Sequence, residues 1–135
     1  MAVKLSTSVR NAMLDAIEST ISTGAVLKIR TGSAPATVAT ADSGTVLATL
    51  TLPSDWLAAA SSGAKAKAGT WEDTSADASG TAAHFRIYAS DGTTAHIQGT
   101  VTATGNGGDL TLDSLTITGG QAITITGFTL TAGNA

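Results

Sequence analysis

Two histidines, His84 and His96, and three carboxylates crowded into one stretch, Glu72, Asp73 and Asp77, are the residues of this chain best equipped for chemistry. A histidine pair can share a metal or relay a proton. A carboxylate cluster can hold calcium, or supply the acid and base of glycoside hydrolysis. Neither pattern has the spacing its chemistry requires. If Asp91-Gly92 closes a two-residue hairpin turn, Ile87 faces His96 and His84 faces Gly99. Strand alternation then places the two imidazoles on opposite faces, so the expectation is two unconnected histidines. The acidic stretch, with Thr74, Ser75 and Ser79 beside it, lacks the residue order of an EF-hand calcium loop. Nothing in the sequence fixes a carboxylate separation there, and the stretch reads as a solvated loop.

Other reactive groups are still less organised. No serine stands in a Gly-x-Ser-x-Gly elbow, the histidines have no identifiable acidic partner, and there is no cysteine. Gly105-Asn-Gly-Gly108 is glycine-rich but lies between strand patterns, without the helix N-terminus of a phosphate cradle, so it reads as a turn. Trp56, Trp71, Phe85, Tyr88 and Phe128 read as core anchors in place of a carbohydrate platform, because so small an aromatic set is needed to fill the core. The expectation is therefore no enzyme, with no catalytic, cofactor-binding or metal-binding residues and no cofactor.

The elements that position these residues follow from hydrophobic periodicity. Apolar residues and threonine alternate in Gly99-Thr-Val-Thr-Ala-Thr104, Leu115-Thr-Ile-Thr118, Ile123-Thr-Ile-Thr126 and Phe128-Thr-Leu-Thr131, each run closed by turn residues. Such period-two runs predict strands with one apolar and one hydroxyl face. Further strands are expected over Ala25 to Arg30, Thr45 to Leu52, Ala82 to Ala89 and Thr94 to Thr104, the last two joined through Ser90 to Thr93. Thr31 to Ser43 is expected to be loop. Ala58 to Gly69, small and weakly patterned, is expected to be a mobile excursion, with a strand from Lys65 to Trp71 as the other option.

One helix is expected, from Ser8 to Ile21, capped by Ser6, Thr7 or Ser8 and followed by Gly24. Val9, Met13, Ala16, Ile17 and Ile21 form its apolar stripe, and docking on the chain's own sheet is favoured over a neighbouring subunit. The fold class is mainly β: an antiparallel β-sandwich or barrel, jelly-roll-like, with one N-terminal amphipathic helix. The 135 residues form one domain, read as an N-terminal arm over 1–7, a helix over 8–23 and a β-sandwich over 25–132.

Charged residues are only 13% of the chain and the net charge is −3, with no Lys/Arg cluster, which argues against a nucleic-acid partner. No apolar run approaches the ~18 residues of a spanning helix. Lys4 is followed by a polar-punctuated segment in place of a signal sequence, so no membrane association is expected. Few charges with positive mean hydropathy leave a free monomer poorly defended against association, and part of the surface is expected to be covered by partners.

Several segments carry a resemblance. Val9-Arg-Asn-Ala-Met-Leu-Asp-Ala-Ile-Glu18, Leu27-Lys-Ile-Arg-Thr-Gly32 and Gly44-Thr-Val-Leu-Ala-Thr-Leu-Thr-Leu-Pro-Ser-Asp-Trp56 resemble small virion structural proteins of tailed bacteriophages. So do Gly69-Thr-Trp71, Ala82-Ala-His-Phe-Arg-Ile-Tyr88 and the closing Phe128-Thr-Leu-Thr-Ala-Gly-Asn-Ala135. The resemblance implies a virion component synthesised in the host cytoplasm and carries no catalytic residues with it. Its partners would be the major capsid protein or another virion protein, together with further copies of itself. Small charge-poor β domains suit capsid decoration, with Ala2 to Ser8 or the loop Ala58 to Gly69 as the arm that contacts the shell. The rival within the virion is a tail component, either a fibre or baseplate adhesion module or a tube or terminator subunit. A small hydrolase of cell-wall sugars, working through Glu72, Asp73 or Asp77, is the rival outside it.

Overall fold

The computed structural model describes residues 3–135, which form one α-helix followed by eleven strands. Helix α1 spans Thr7–Ile21. Ser6 caps it, its hydroxyl accepting from the Val9 N–H at 3.2 Å, which satisfies one of the orphan donors of the first turn. At the other end the Ser22 N–H donates to the Glu18 carbonyl with Ser22 itself at φ 67°. The chain then turns through Gly24 into the sheet.

The strands are β1 Val26–Arg30, β2 Val46–Thr51, β3 Ala64–Ala66, β4 Glu72–Asp73, β5 Gly80–Thr81 and β6 His84–Tyr88. They continue with β7 Ala95–Ala103, β8 Leu110–Leu112, β9 Thr116–Ile117, β10 Ile123–Thr124 and β11 Gly127–Thr131. Seven of them make one mixed sheet in the order β2-β1-β6-β7-β8-β11-β3, and β10–β4 and β5–β9 form two short ladders. The fold is therefore mainly β with one N-terminal helix, and no closed barrel is present among the described residues.

The expected all-antiparallel pairing fails at one place, since β7 and β8 run parallel, Val101 opposite Leu110 and Ala103 opposite Leu112. Parallel neighbours usually need a crossover of a dozen or more residues. Here the strands overlap over three residues only, so the short return through 104–109 suffices. Gly108 makes that return possible. Its N–H donates to Thr102 Oγ1 at 2.9 Å, and a Cβ there would lie 2.5 Å from the same oxygen.

The apolar face of the sheet supplies Leu27, Ile29, Leu50, Phe85, Ile87, Val101, Leu110 and Phe128 to a single core. Ile117, Ile123 and Ile125, in or beside the two short ladders, belong to the same core. A chain of aromatic contacts runs through it: Trp56 to Trp71 at 6.0 Å, Trp71 to Phe128 at 5.3 Å, and Phe128 edge-on to Phe85 at 5.7 Å. Each such ring removes roughly 150–250 Å² from water, so these few residues dominate the burial.

Helix α1 docks differently from the stripe read in the sequence. Leu14 and Ile21 are buried, but Val9 is 46% and Met13 52% exposed. The polar flank decides the rotation. Asn11 Oδ1 accepts from Gly63 N, Asp15 Oδ1 from Ala60 N, and Glu18 Oε1 from Leu57 N. Lys65, only 3% exposed, reaches up to Asp15 at 2.7 Å and Glu18 at 3.2 Å. Burial opposes its charge, but the two carboxylates outweigh that effect and raise its pKa above the ordinary lysine value.

The same contacts replace the mobile excursion expected over 58–69. The segment 58–69 is built structure: β3 pairs with β11, Leu57 bridges Lys67, and the helix side chains hold the rest. At the N-terminus Leu5 N donates to Asn134 O at 2.7 Å, Ser6 caps α1, and Thr7 and Ser8 lie within it. Met1 and Ala2 lie outside the described residues. Lys65→Ala leaves two carboxylates without their buried cation, and it is expected to lower unfolding free energy by roughly 2–3 kcal/mol in urea titrations. A loss under 0.5 kcal/mol, the usual size of a surface change, would show that the cluster does not anchor the helix.

Candidate functional site

The acidic stretch turns out to close the sheet. Strand β2 is an edge, and its outward-facing backbone groups are capped from residues 73–78. Asp73 Oδ2 accepts from Thr49 N at 3.0 Å, Asp77 Oδ2 accepts from Thr49 Oγ1 at 2.7 Å, and the Asp77 N–H donates to Leu47 O at 2.8 Å. The second oxygen of Asp73 accepts from Ser75 N. Two of the three carboxylates are thus engaged within the protein, and Glu72, exposed on β4, pairs through its backbone with Thr124. An edge strand offers unpaired donors and acceptors, and covering them is how proteins block further pairing.

The histidines stay apart, for a reason other than the expected one. The loop Ser90 to Thr93 joins β6 and β7 as read from the sequence. Asp91 accepts from the Thr94 hydroxyl and from the N–H groups of Thr94 and Thr93, which hold its carboxyl down to about 2. Tyr88 opposes Ala95, but a bulge follows, and beyond it Ile87 opposes Ile97 and His84 opposes Thr100. The register of a two-residue turn therefore slips by one, and the parity argument falls with it. Distance takes its place: His96 lies four residues before Thr100 on β7, about 13 Å along the strand. His84 is 1% exposed with Nδ1 2.7 Å from Gly32 O, so Nδ1–H donates. Among the described residues no group of three or more His, Asp or Glu is placed to hold a metal ion.

The polar centre of the molecule is one the sequence reading missed. On β1 and β6 the face turned from the core carries Lys28 opposite Arg86 and Arg30 opposite His84, with Tyr88 alongside and Gln98 on β7. A loop over 31–44 lies across this face as an Ω-loop with its ends tied, Thr31 N to Thr45 O and Thr45 N to Thr31 Oγ1. Gly44, at φ 72°, closes it so tightly that a Cβ would lie 2.0 Å from Thr31 O. Arg30, 6% exposed, and Arg86, 2% exposed, share one carboxylate. Arg30 Nη2 meets Asp42 Oδ2 at 2.8 Å and Arg86 Nη1 meets Asp42 Oδ1 at 2.7 Å.

Around that carboxylate the contacts close into a network. The Tyr88 hydroxyl donates to Asp42 Oδ1, Arg86 donates to Gln98 Oε1 and Thr37 O, and Gln98 donates to Pro35 O. Loop carbonyls thus face an array of side-chain donors. Burial disfavours the charge on Asp42, yet the hydrogen bonds from Tyr88 and Arg86 and the charges of Arg30 and Arg86 prevail, so its carboxyl lies below the ordinary value. Burial, with the Asp42 carboxylate, pushes the Tyr88 hydroxyl up. Around neutral pH no group of this clamp that titrates anomalously is poised to transfer a proton. Its geometry holds a loop.

No protein-family model, no curated protein and no solved structure matches this chain. Its own geometry carries the functional argument. Four of the five aromatic residues expected as core anchors lie in the core, with Trp56 Nε1 and Trp71 Nε1 satisfied by Ser22 O and Ala68 O, whereas Tyr88 is buried on the opposite face of the sheet in the Asp42 clamp. Gly105 to Gly108 serves the β7–β8 return described above. The clamp had a readable signal. Leu27-Lys-Ile-Arg30 and His84-Phe-Arg-Ile-Tyr88 both alternate apolar with long polar residues, which marks two strands sharing a polar face that something must cover.

Removing the charge at Asp42 leaves two buried guanidiniums without a counter-ion. Asp42→Asn is expected to cost roughly 2–3 kcal/mol near pH 7, less than for a fully buried pair because solvent partly screens the half-buried carboxylate. The folded pKa lies below the ordinary 3.8, so this stability is complete above 3.8 and is lost as pH falls through the lower folded value. Denaturation of wild type and variant should therefore differ at neutral pH and converge in strong acid; a constant difference would disprove the linkage. Asp73→Ala should cost about 1–2 kcal/mol by leaving Thr49 N without its acceptor, with faster amide exchange at Thr49 as the local readout.

Proposed function

We propose that this chain is a non-enzymatic structural component of a tailed-phage virion, a capsid decoration or cement protein that stabilises the head through protein–protein contacts. The observation that carries the reading is where its polarity goes. Asp42, Asp73, Asp77, Asp15 and Glu18 are bound to partners within the chain. The outward face of β7, β8 and β11 instead carries Thr100, Thr102, Thr111, Thr129 and Thr131, with Asp109 held against Thr100 as a carboxylate among them. A hydroxyl-rich, charge-poor surface on a small domain with both sheet edges covered suits lateral packing against other proteins. The family resemblance of the N-terminal, central and C-terminal segments supports the same assignment.

The finer fold reading belongs to the same proposal: β10–β4 and β5–β9 stand as the reduced second layer of a jelly-roll-like sandwich. Ile117 and Ile123 belong to the common core, which supports it. With residues 5–8 and 58–69 hydrogen-bonded to the body, the threonine face is favoured over an arm as the capsid contact.

Immunogold electron microscopy on intact particles of the phage that encodes the chain tests the function directly. Label spread over the head is the expected outcome. Label confined to the tail or its tip would replace decoration by the tail-component reading. Absence of label, with the chain also missing from disrupted particles, would remove the virion assignment.

A further inference from the structure

The rotation that buries the polar flank of α1 leaves an apolar seam in water. Val9, Met13, Ala16 and Thr20 are all exposed and recur at intervals of four, three and four residues, the spacing of a coiled-coil seam. Val3, Val9 and Met13 are the large hydrophobic residues exposed among those described. Met13, Ala16, Ile17 and Thr20 stand at i, i+3, i+4 and i+7, the four corners of a hole in knobs-into-holes packing. An open cleft of about 300 Å³ lies at these residues, backed by Ile97 and His96 of β7. The small side chain of Ala16 leaves the space, and Met13 beside it is an unbranched apolar knob.

We infer that α1 is a self-association surface, its seam pairing antiparallel with the same seam on a second copy of this chain so that each Met13 fills the other's cleft at Ala16. Three observations select a second copy as occupant. The seam carries no charged residue, so like meets like without repulsion. Antiparallel pairing sets Val9 opposite Thr20 and Met13 opposite Ala16, large against small each time, as a self-complementary two-fold contact requires. Strand-to-strand association is closed off, because β2 is capped by residues 73–78 and β3 by residues 57–61.

A helix of 15 residues is only about 22 Å long, so the contact falls short of the ~800 Å² per partner of a standard interface. The association is accordingly reversible and concentration-dependent. It stands independently of the virion assignment, since it is read on the purified chain.

Sedimentation velocity from micromolar to millimolar protein is the test. Wild type should show a monomer–dimer equilibrium. Met13→Glu should weaken it about tenfold or more while leaving the denaturation midpoint unchanged, since Met13 is half exposed. Ala16→Glu, at an equally accessible position, should act alike and keeps the test open if the first variant folds poorly. The chain has no cysteine, so pairing can be read by oxidation. A mixture of Met13→Cys and Ala16→Cys chains should cross-link to each other faster than either links to itself. A wild type that stays monomeric at millimolar concentration, a dimer indifferent to both glutamates, or fastest linking of Met13→Cys to itself would each overturn the proposal.

Discussion

A single carboxylate between two buried guanidiniums is the constraint on which the rest of this fold depends. Taking an arginine out of water costs several kcal/mol unless its charge and its N–H groups are met. Arg30 and Arg86 both meet Asp42, and Tyr88, Gln98 and loop carbonyls take further N–H groups, with Arg30 Nε left without a partner. The consequence is long-range. Residues 31–44 must fold back over β1 and β6, and the strands must keep the register that sets Arg30 beside His84 and Lys28 beside Arg86. A one-residue slip would push the arginines into the hydrocarbon core and Leu27 and Ile29 under the loop, so the clamp and the core enforce the same register from opposite faces.

The same device recurs at smaller scale. Lys65 binds the helix to β3, Asp73 and Asp77 finish the edge of β2, and Asp109 holds the start of β8 through Thr100 N and Oγ1. In each case a charged group ties two elements together, and Asp73, Asp77 and Asp109 do so at backbone or hydroxyl donors of a neighbouring strand. With charged residues at 13% of the chain, polar contacts of this kind are scarce and are placed where elements meet.

Periodicity made most of the strands legible, because alternation along a half-buried strand is a local property. Val26–Arg30, Val46–Thr51, His84–Tyr88 and Gly127–Thr131 follow it directly. Partner and register are not local. The parallel pairing of β7 with β8 depends on a glycine return, and the bulge between Ile87 and Tyr88 leaves His96 unpaired and moves the partner of His84 by one place. The rotation of α1 was equally hidden. Its apolar stripe is real, but Lys65, Ala60 and Gly63 bind the polar flank more specifically than the core binds Val9 or Met13. The Ω-loop was legible as a loop and illegible as a lid, because Asp42 lies twelve residues from Arg30 and 44 from Arg86.

These contacts leave a particular kind of exterior. Charges bound within the chain stiffen the domain and cover its edges, and the exterior is left with threonine, alanine, a short apolar seam and scattered charges such as Lys4, Asp55 and Glu72. A threonine hydroxyl both donates and accepts, so a neutral hydroxyl face can meet a partner face without an obligatory charge match. Such surfaces give little long-range steering and weak single contacts. Their strength comes from repetition, when many copies are held at fixed spacing and each modest contact closes at high effective concentration. The physical character of this exterior thus favours a molecule that works in numbers, which is the condition the proposed decoration role and the α1 pairing both require.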